Sequence, residues 1–178
     1  MTTELVREFH EKHGFSTGCD FDLAVLELRS EPVVVESLRL LSQILEQNIN
    51  RMGYSRTLFE TRELRRAKLF IERIMLTLEE VSELVESIND GDQINFCDSL
   101  ADIHYVNCGT AVAFGIPLEE AVEIVHRSNM TKKVGAFKPE KDHEFSDPEP
   151  ALAALLIKTR EDPESASASQ MEFDWGDK

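Results

Sequence analysis

The stretch LTLEEVSELVESINDGDQINFCDSLADIHY, residues 76–105, carries two acidic runs on consecutive helical patterns, with Asp90, Gly91 and Asp92 between them. Upstream, Phe70, Ile74, Leu78, Val81, Val85 and Ile88 recur at spacings of three and four, so a long amphipathic helix is expected over about 60–89, stopped by the Asp-Gly-Asp turn. The pattern that follows, about 94–114, differs in kind. Its only formally charged residues are Asp98 and Asp102, and nearly every face is apolar or small, which predicts a central helix buried on all sides.

The acidic residues are spaced for shared faces. Glu79, Glu80, Glu83 and Glu86 lie away from the apolar stripe, Glu79 and Glu83 one i,i+4 step apart and Glu80 and Glu83 one i,i+3 step apart. Taken alone, such a face is a solvated one. Asp98 and Asp102 weigh more. They are one i,i+4 step apart, with Tyr105 and Gly109 on the same stripe, and no Lys or Arg in that helix offsets their charge. Buried without partners, two carboxylates cost several kcal/mol each, so either basic groups come from elsewhere or a cation does. A hard divalent ion such as Mg²⁺ takes a few carboxylates together with substrate phosphates, and two antiparallel helices would bring both acidic pairs within its reach.

The rest of the chain extends this helical reading. A short helix is expected from about 4 to 13 with Leu5, Val6 and Phe9 on one side and Gly14 as its stop; residues 15–28 show no clear pattern. Pro32 opens a helix of about five turns through Leu40, Leu41, Ile44 and Ile49 to Gly53. After Gly115 and Pro117, another runs to about Lys132 with Leu118, Ala121, Val122 and Val125 inward. A proline-bounded loop and a short apolar piece, 151–157, precede an acidic, Ser/Ala-rich tail from Thr159 onward that reads as disordered. The expectation is one all-α, four-helix-bundle-like domain over 1–158, with its catalytic core at about 60–133, an extra N-terminal helix and a tail at 159–178.

Composition excludes several classes. A chain of 178 residues with a net charge of −15 has room for one core and lacks the basic stripe that nucleic-acid binding needs. No run of eighteen apolar residues offers a membrane span, no secretory pattern opens the chain, and a cytoplasmic setting is expected. Cys19, Cys97 and Cys108 form no CxxC pair, and the last two would lie about 16 Å apart on one helix, so all three are expected as buried thiols. A di-iron bundle needs two Glu-x-x-His pairs on helices. Glu123-x-x-His126 supplies one, while Glu140-x-x-His143 falls in the loop. The GxSxG, Walker and GxGxxG anchors are missing.

Glu79-Glu80-x-x-Glu83-Leu84, Asp98-x-Leu100-Ala101-Asp102-x-x-Tyr105 and His126-Arg127-Ser128-Asn129-Met130-Thr131-Lys132 together resemble the MazG-like all-α NTP pyrophosphohydrolase superfamily, in its phosphoribosyl-ATP pyrophosphohydrolase-like branch. Val6-Arg7-Glu8-Phe9-His10 resembles the opening of the shorter members. The resemblance covers about residues 67–133. It implies Mg²⁺-dependent cleavage of a nucleoside triphosphate between the α and β phosphates, with Mn²⁺ able to substitute. It implies Glu80, Glu83, Asp98 and Asp102 as metal ligands and Glu79 as the group that orients or deprotonates water. Asn129 and Lys132 would contact substrate, with Tyr105 as a further contact. The family's second element is E-x-x-D, whereas this chain offers D-x-x-x-D, so Asp98 departs from the pattern more than Asp102 does. A homodimer or homotetramer is implied as well. Two alternatives stand beside hydrolysis of NTPs or dNTPs. One is phosphoribosyl-ATP hydrolysis in histidine biosynthesis, and the other a non-catalytic helical interaction protein.

Overall fold

Asp20 begins the first element that the apolar pattern does not reveal. In the computed structural model, which describes residues 2–58, 65–135 and 138–161, the Asp20 side chain accepts from the backbone N–H of Leu23 at 3.0 Å and starts helix α2 (Phe21–Arg29). Helix α1 (Thr2–His13) precedes it, and Gly14 ends α1 in the left-handed region that glycine enters without strain. Then come α3 (Pro32–Leu58), α4 (Arg65–Asp90), α5 (Gln93–Phe114), α6 (Leu118–Met130) and α7 (Glu149–Glu161). Among the described residues there is no β-strand, only a single antiparallel bridge between Lys133 and Glu140. The all-α class holds.

The chain divides into two compact units, residues 19–110 and residues 1–18 with 111–178. In the first, α3 and α4 form the principal helix pair and α2 packs on α3. The α4–α5 turn is built locally and then anchored. Gly91 takes positive φ, Asp92 caps α5 by accepting from the N–H groups of Ile94 and Asn95, and the Arg29 guanidinium donates to the Asn89 carbonyl at 3.2 Å. A side chain at Gly91 would press on both Val25 and Arg29, so the same glycine permits the turn and the approach of α2. Phe21 on Phe96, ring centroids 5.0 Å apart, completes the anchor.

In the second unit α1 packs against α6 and α6 against α7. His126 faces Glu8 at 3.3 Å, and the Lys12 ammonium donates to the Met130 carbonyl at the end of α6. Buried Ser128 donates to the Ser146 carbonyl at 2.6 Å, and Thr131 accepts from the Ser146 N–H, which folds the segment after α6 back on it.

Several expectations change. The α3 helix runs through Gly53 to Leu58, because one glycine costs only about 1 kcal/mol and propagation continues on both sides. Val125 is exposed, and the covered side of α6 passes instead through His126 and Ser128. The α4 stripe is buried only in its second half: Val85 is covered, Phe70 and Ile74 are not. The largest correction concerns α5. It enters no closely packed helix pair among the described residues, and Ile94, Leu100, Tyr105 and Val112 are exposed, so low charge did not translate into burial within one chain. Cys19 and Cys97 are exposed and Cys108 half-buried, the latter two because they ride on this open helix. Residues 159–161 complete α7, while the expected disorder of 162–178 and the start of the long helix at 60–64 lie outside the described residues.

Candidate functional site

The acidic patch assembles on α4 and α5 from helix periodicity and the short turn between them. Glu79, Glu80 and Glu83 project from α4, and Asp98 and Asp102 from the first half of α5. Glu80 reports their convergence. Its carboxyl is held above the usual range, first by burial and then by the negative charges of Glu83, Asp102, Glu79 and Asp98. The other four carboxylates the sequence singles out therefore all act on Glu80, from two helices.

The patch is open. Glu79, Glu80 and Asp102 are half-buried, Glu83 and Asp98 exposed, and Tyr105 stands 77% exposed beyond them. Asp98 and Asp102 thus keep a contact with solvent that a helix buried on all sides would deny them. Among the described residues no three His, Cys, Asp or Glu side chains close into a metal cage. The donor chemistry still suits a hard ion, since Mg²⁺ keeps waters and needs only one or two carboxylates beside substrate phosphates.

Beside the patch, Glu83 and Asp98 face a common cavity of about 270 Å³. Glu86, Asp90 and Asn95 line it too, with the buried serines Ser87 and Ser99. Ser87 donates to the Leu84 carbonyl and Ser99 to that of Asn95, so both hydroxyls are spent within their own helices. Asp90 and Asn95 did not stand out in the sequence, where Asp90 belongs to the expected turn and Asn95 to the first turn of the helix after it.

Asn129 and Lys132 belong to the other unit, at the end of α6, both half-buried. Lys132 lines a cavity of about 470 Å³ together with Lys12, Lys133, Thr131 and Glu144; Asn129 does not. The last turn of α6 is capped there. The Ser128 carbonyl receives the Thr131 hydroxyl at 2.7 Å, that of Asn129 the Lys132 N–H at 3.1 Å, and that of Met130 Lys12. Lys133 pairs with Asp142 and Glu144, and its ammonium is held above the usual lysine range chiefly by the hydrogen bond to Asp142, whose carboxyl is lowered by the same bond. Lys132 thus shares its cavity with a pairing already complete.

Arg73 escaped the sequence reading. It lies on α4 seven residues before Glu80, and its guanidinium rests against α5 at Gly109, where a Cβ would come within 3.3 Å of Nη1. Only its location marks it out, because an arginine on a helix otherwise reads as solvated charge.

No helix among the described residues is long and apolar enough to cross a membrane. No curated protein and no solved structure matches the chain. The profile of the family described as phosphoribosyl-ATP pyrophosphohydrolase does match, over residues 41–129, which is half of the chain and takes in α4, α5 and α6 as far as Asn129. The all-helical fold and the carboxylates gathered from the two motifs on α4 and α5 are consistent with that match, and the chain belongs to the phosphoribosyl-ATP pyrophosphohydrolase family.

Proposed function

We propose that the protein is a Mg²⁺-dependent nucleoside triphosphate pyrophosphohydrolase of the cytosol, cleaving an NTP or dNTP between the α and β phosphates to a nucleoside monophosphate and pyrophosphate. The observation that carries this is the family match over residues 41–129 together with the carboxylates of α4 and α5 gathered around Glu80. Carboxylates clustered in this way suit a positively charged ligand.

Glu80, Glu83, Asp98 and Asp102 are the ligands we assign, Mg²⁺ preferred and Mn²⁺ acceptable. A bound divalent ion would neutralise charge on the phosphate oxygens as the anhydride bond breaks. Glu79 orients the attacking water and accepts its proton as the new P–O bond forms and pyrophosphate departs. Asn129 offers a donor and an acceptor to the sugar or base, Lys132 a point charge to a phosphate, and Tyr105 a flat exposed ring. A second copy of the chain is the partner we assign to the exposed apolar side of α5, as a homodimer or homotetramer, which light scattering of the purified protein decides.

Phosphoribosyl-ATP hydrolysis is the second reading, favoured by the description of the matching family. A pyrophosphate-release assay across NTPs, dNTPs and phosphoribosyl-ATP with Mg²⁺ separates the two. Activity on phosphoribosyl-ATP alone replaces the first reading by the second, and inactivity of wild type and Glu83→Gln alike on every substrate removes both.

A further inference from the structure

We infer that Arg73 is a substrate-binding residue, holding a phosphate group of the nucleotide remote from the bond that is cleaved. Three observations meet at this side chain. Its Nε is buried and has no hydrogen-bond partner, which is a costly state for a guanidinium and one that a ligand oxygen relieves. Among the described residues no carboxylate forms an ion pair with it, although α4 carries Glu72, Glu79, Glu80, Glu83 and Glu86. The guanidinium is also located, lying against the one residue of α5 without a side chain, Gly109.

Register gives the distance. Arg73 precedes Glu80 by seven residues on α4, and Gly109 follows Asp102 by seven on α5, about 10 Å of helix in each case. Both helices therefore place Arg73 about two turns along from the acidic patch, on the stripe that already holds Asp98, Asp102 and Tyr105. Allowing for the length of the side chain, that offset falls within the span of a nucleotide whose α and β phosphates lie at the carboxylates. An arginine fork suits phosphate, which it can grip through two parallel hydrogen bonds. Two substrate phosphates meet the description: the terminal one of a triphosphate, and the one on the second ribose of phosphoribosyl-ATP.

The inference rests on the pyrophosphohydrolase reading, and its test keeps the two apart. KM and kcat with Mg²⁺, and equilibrium binding without added metal, are measured for a nucleoside triphosphate, the matching diphosphate and phosphoribosyl-ATP, with wild type, Arg73→Met and Gly109→Ala. Arg73→Met should raise KM and weaken binding about tenfold while kcat stays within about twofold. A rise for the triphosphate but not the diphosphate assigns the terminal phosphate, and a rise for phosphoribosyl-ATP alone assigns the second ribose. Gly109→Ala keeps the charge and favours the helix, yet pushes the guanidinium aside; it should give a smaller rise for the same substrate with undiminished thermal stability, and it serves alone where Arg73→Met fails to fold. Unchanged KM and binding for all three ligands, or an equal rise for all three, overturns the inference. A wild type that hydrolyses nothing defeats the activity reading, while the binding comparison still decides Arg73.

Discussion

The acidic patch on α4 and α5 and the basic end of α6 solve the same electrostatic problem in opposite ways. At the end of α6 charges are matched within the chain, Lys133 with Asp142 and Glu144, and Lys12 on a helix carbonyl. On α4 and α5 like charges are gathered with no basic partner among the described residues, and Glu80 is raised, first by burial and then by those charges. Matched charges hold a segment in place, whereas unmatched ones store a repulsion that an incoming ligand releases. This difference separates a structural ion pair from a candidate site more sharply than the number of charges in either.

Removing members of the unmatched set should have the largest effect. Asp102→Asn or Glu83→Gln should lower pyrophosphate release by more than about 100-fold in a steady-state assay, since each withdraws negative charge and an oxygen we assign to the metal. Next comes the ligand itself. Millimolar Mg²⁺ or Mn²⁺ should raise the thermal midpoint of the wild type by several degrees, roughly the effect of 1–2 kcal/mol of linked binding, and leave that of Asp102→Asn in place. An equal rise for both proteins would place the ion elsewhere.

A smaller effect of opposite sign is expected from Glu80→Gln in metal-free buffer. Because the folded protein holds the Glu80 proton more tightly than the unfolded chain, this carboxyl weakens the fold as pH rises from the ordinary glutamate range through its raised value. The variant should therefore melt about 2 °C higher at neutral pH and coincide with wild type at a pH below the ordinary glutamate range, while losing hydrolysis. Asp142→Asn is the mildest change. Lys133 is exposed and Asp142 half-buried, the pair's contribution is present above the ordinary aspartate range and fades as pH falls through the lowered value, and the variant should shift the melt by no more than about 1 °C, less in high salt.

Helix periodicity carried most of what could be read in advance. The stripe along α4, the Asp-Gly-Asp turn and the spacing of Asp98 and Asp102 are local properties, and a helix with a fixed rise and 3.6 residues per turn converts them into shared faces. The α2 helix was missed because its signal lies in one capping aspartate, Asp20, rather than in a long apolar repeat. The reading of α5 failed for another reason. Composition states what a helix can bury, and packing states what it does bury; α5 is almost without charge, yet Tyr105 and Ile94 stand 77% and 82% exposed.

By itself, then, the sequence determined the all-α class, the helix faces and the five carboxylates, because spacing along a helix dictates which side chains share a surface. Only the tertiary structure decided that those carboxylates press on Glu80 from two helices, that α5 lies open, and that Arg73 rests on Gly109. Each of these is a through-space relation between residues distant in the chain, and burial and electrostatic coupling depend on that distance in space, not on spacing along one helix.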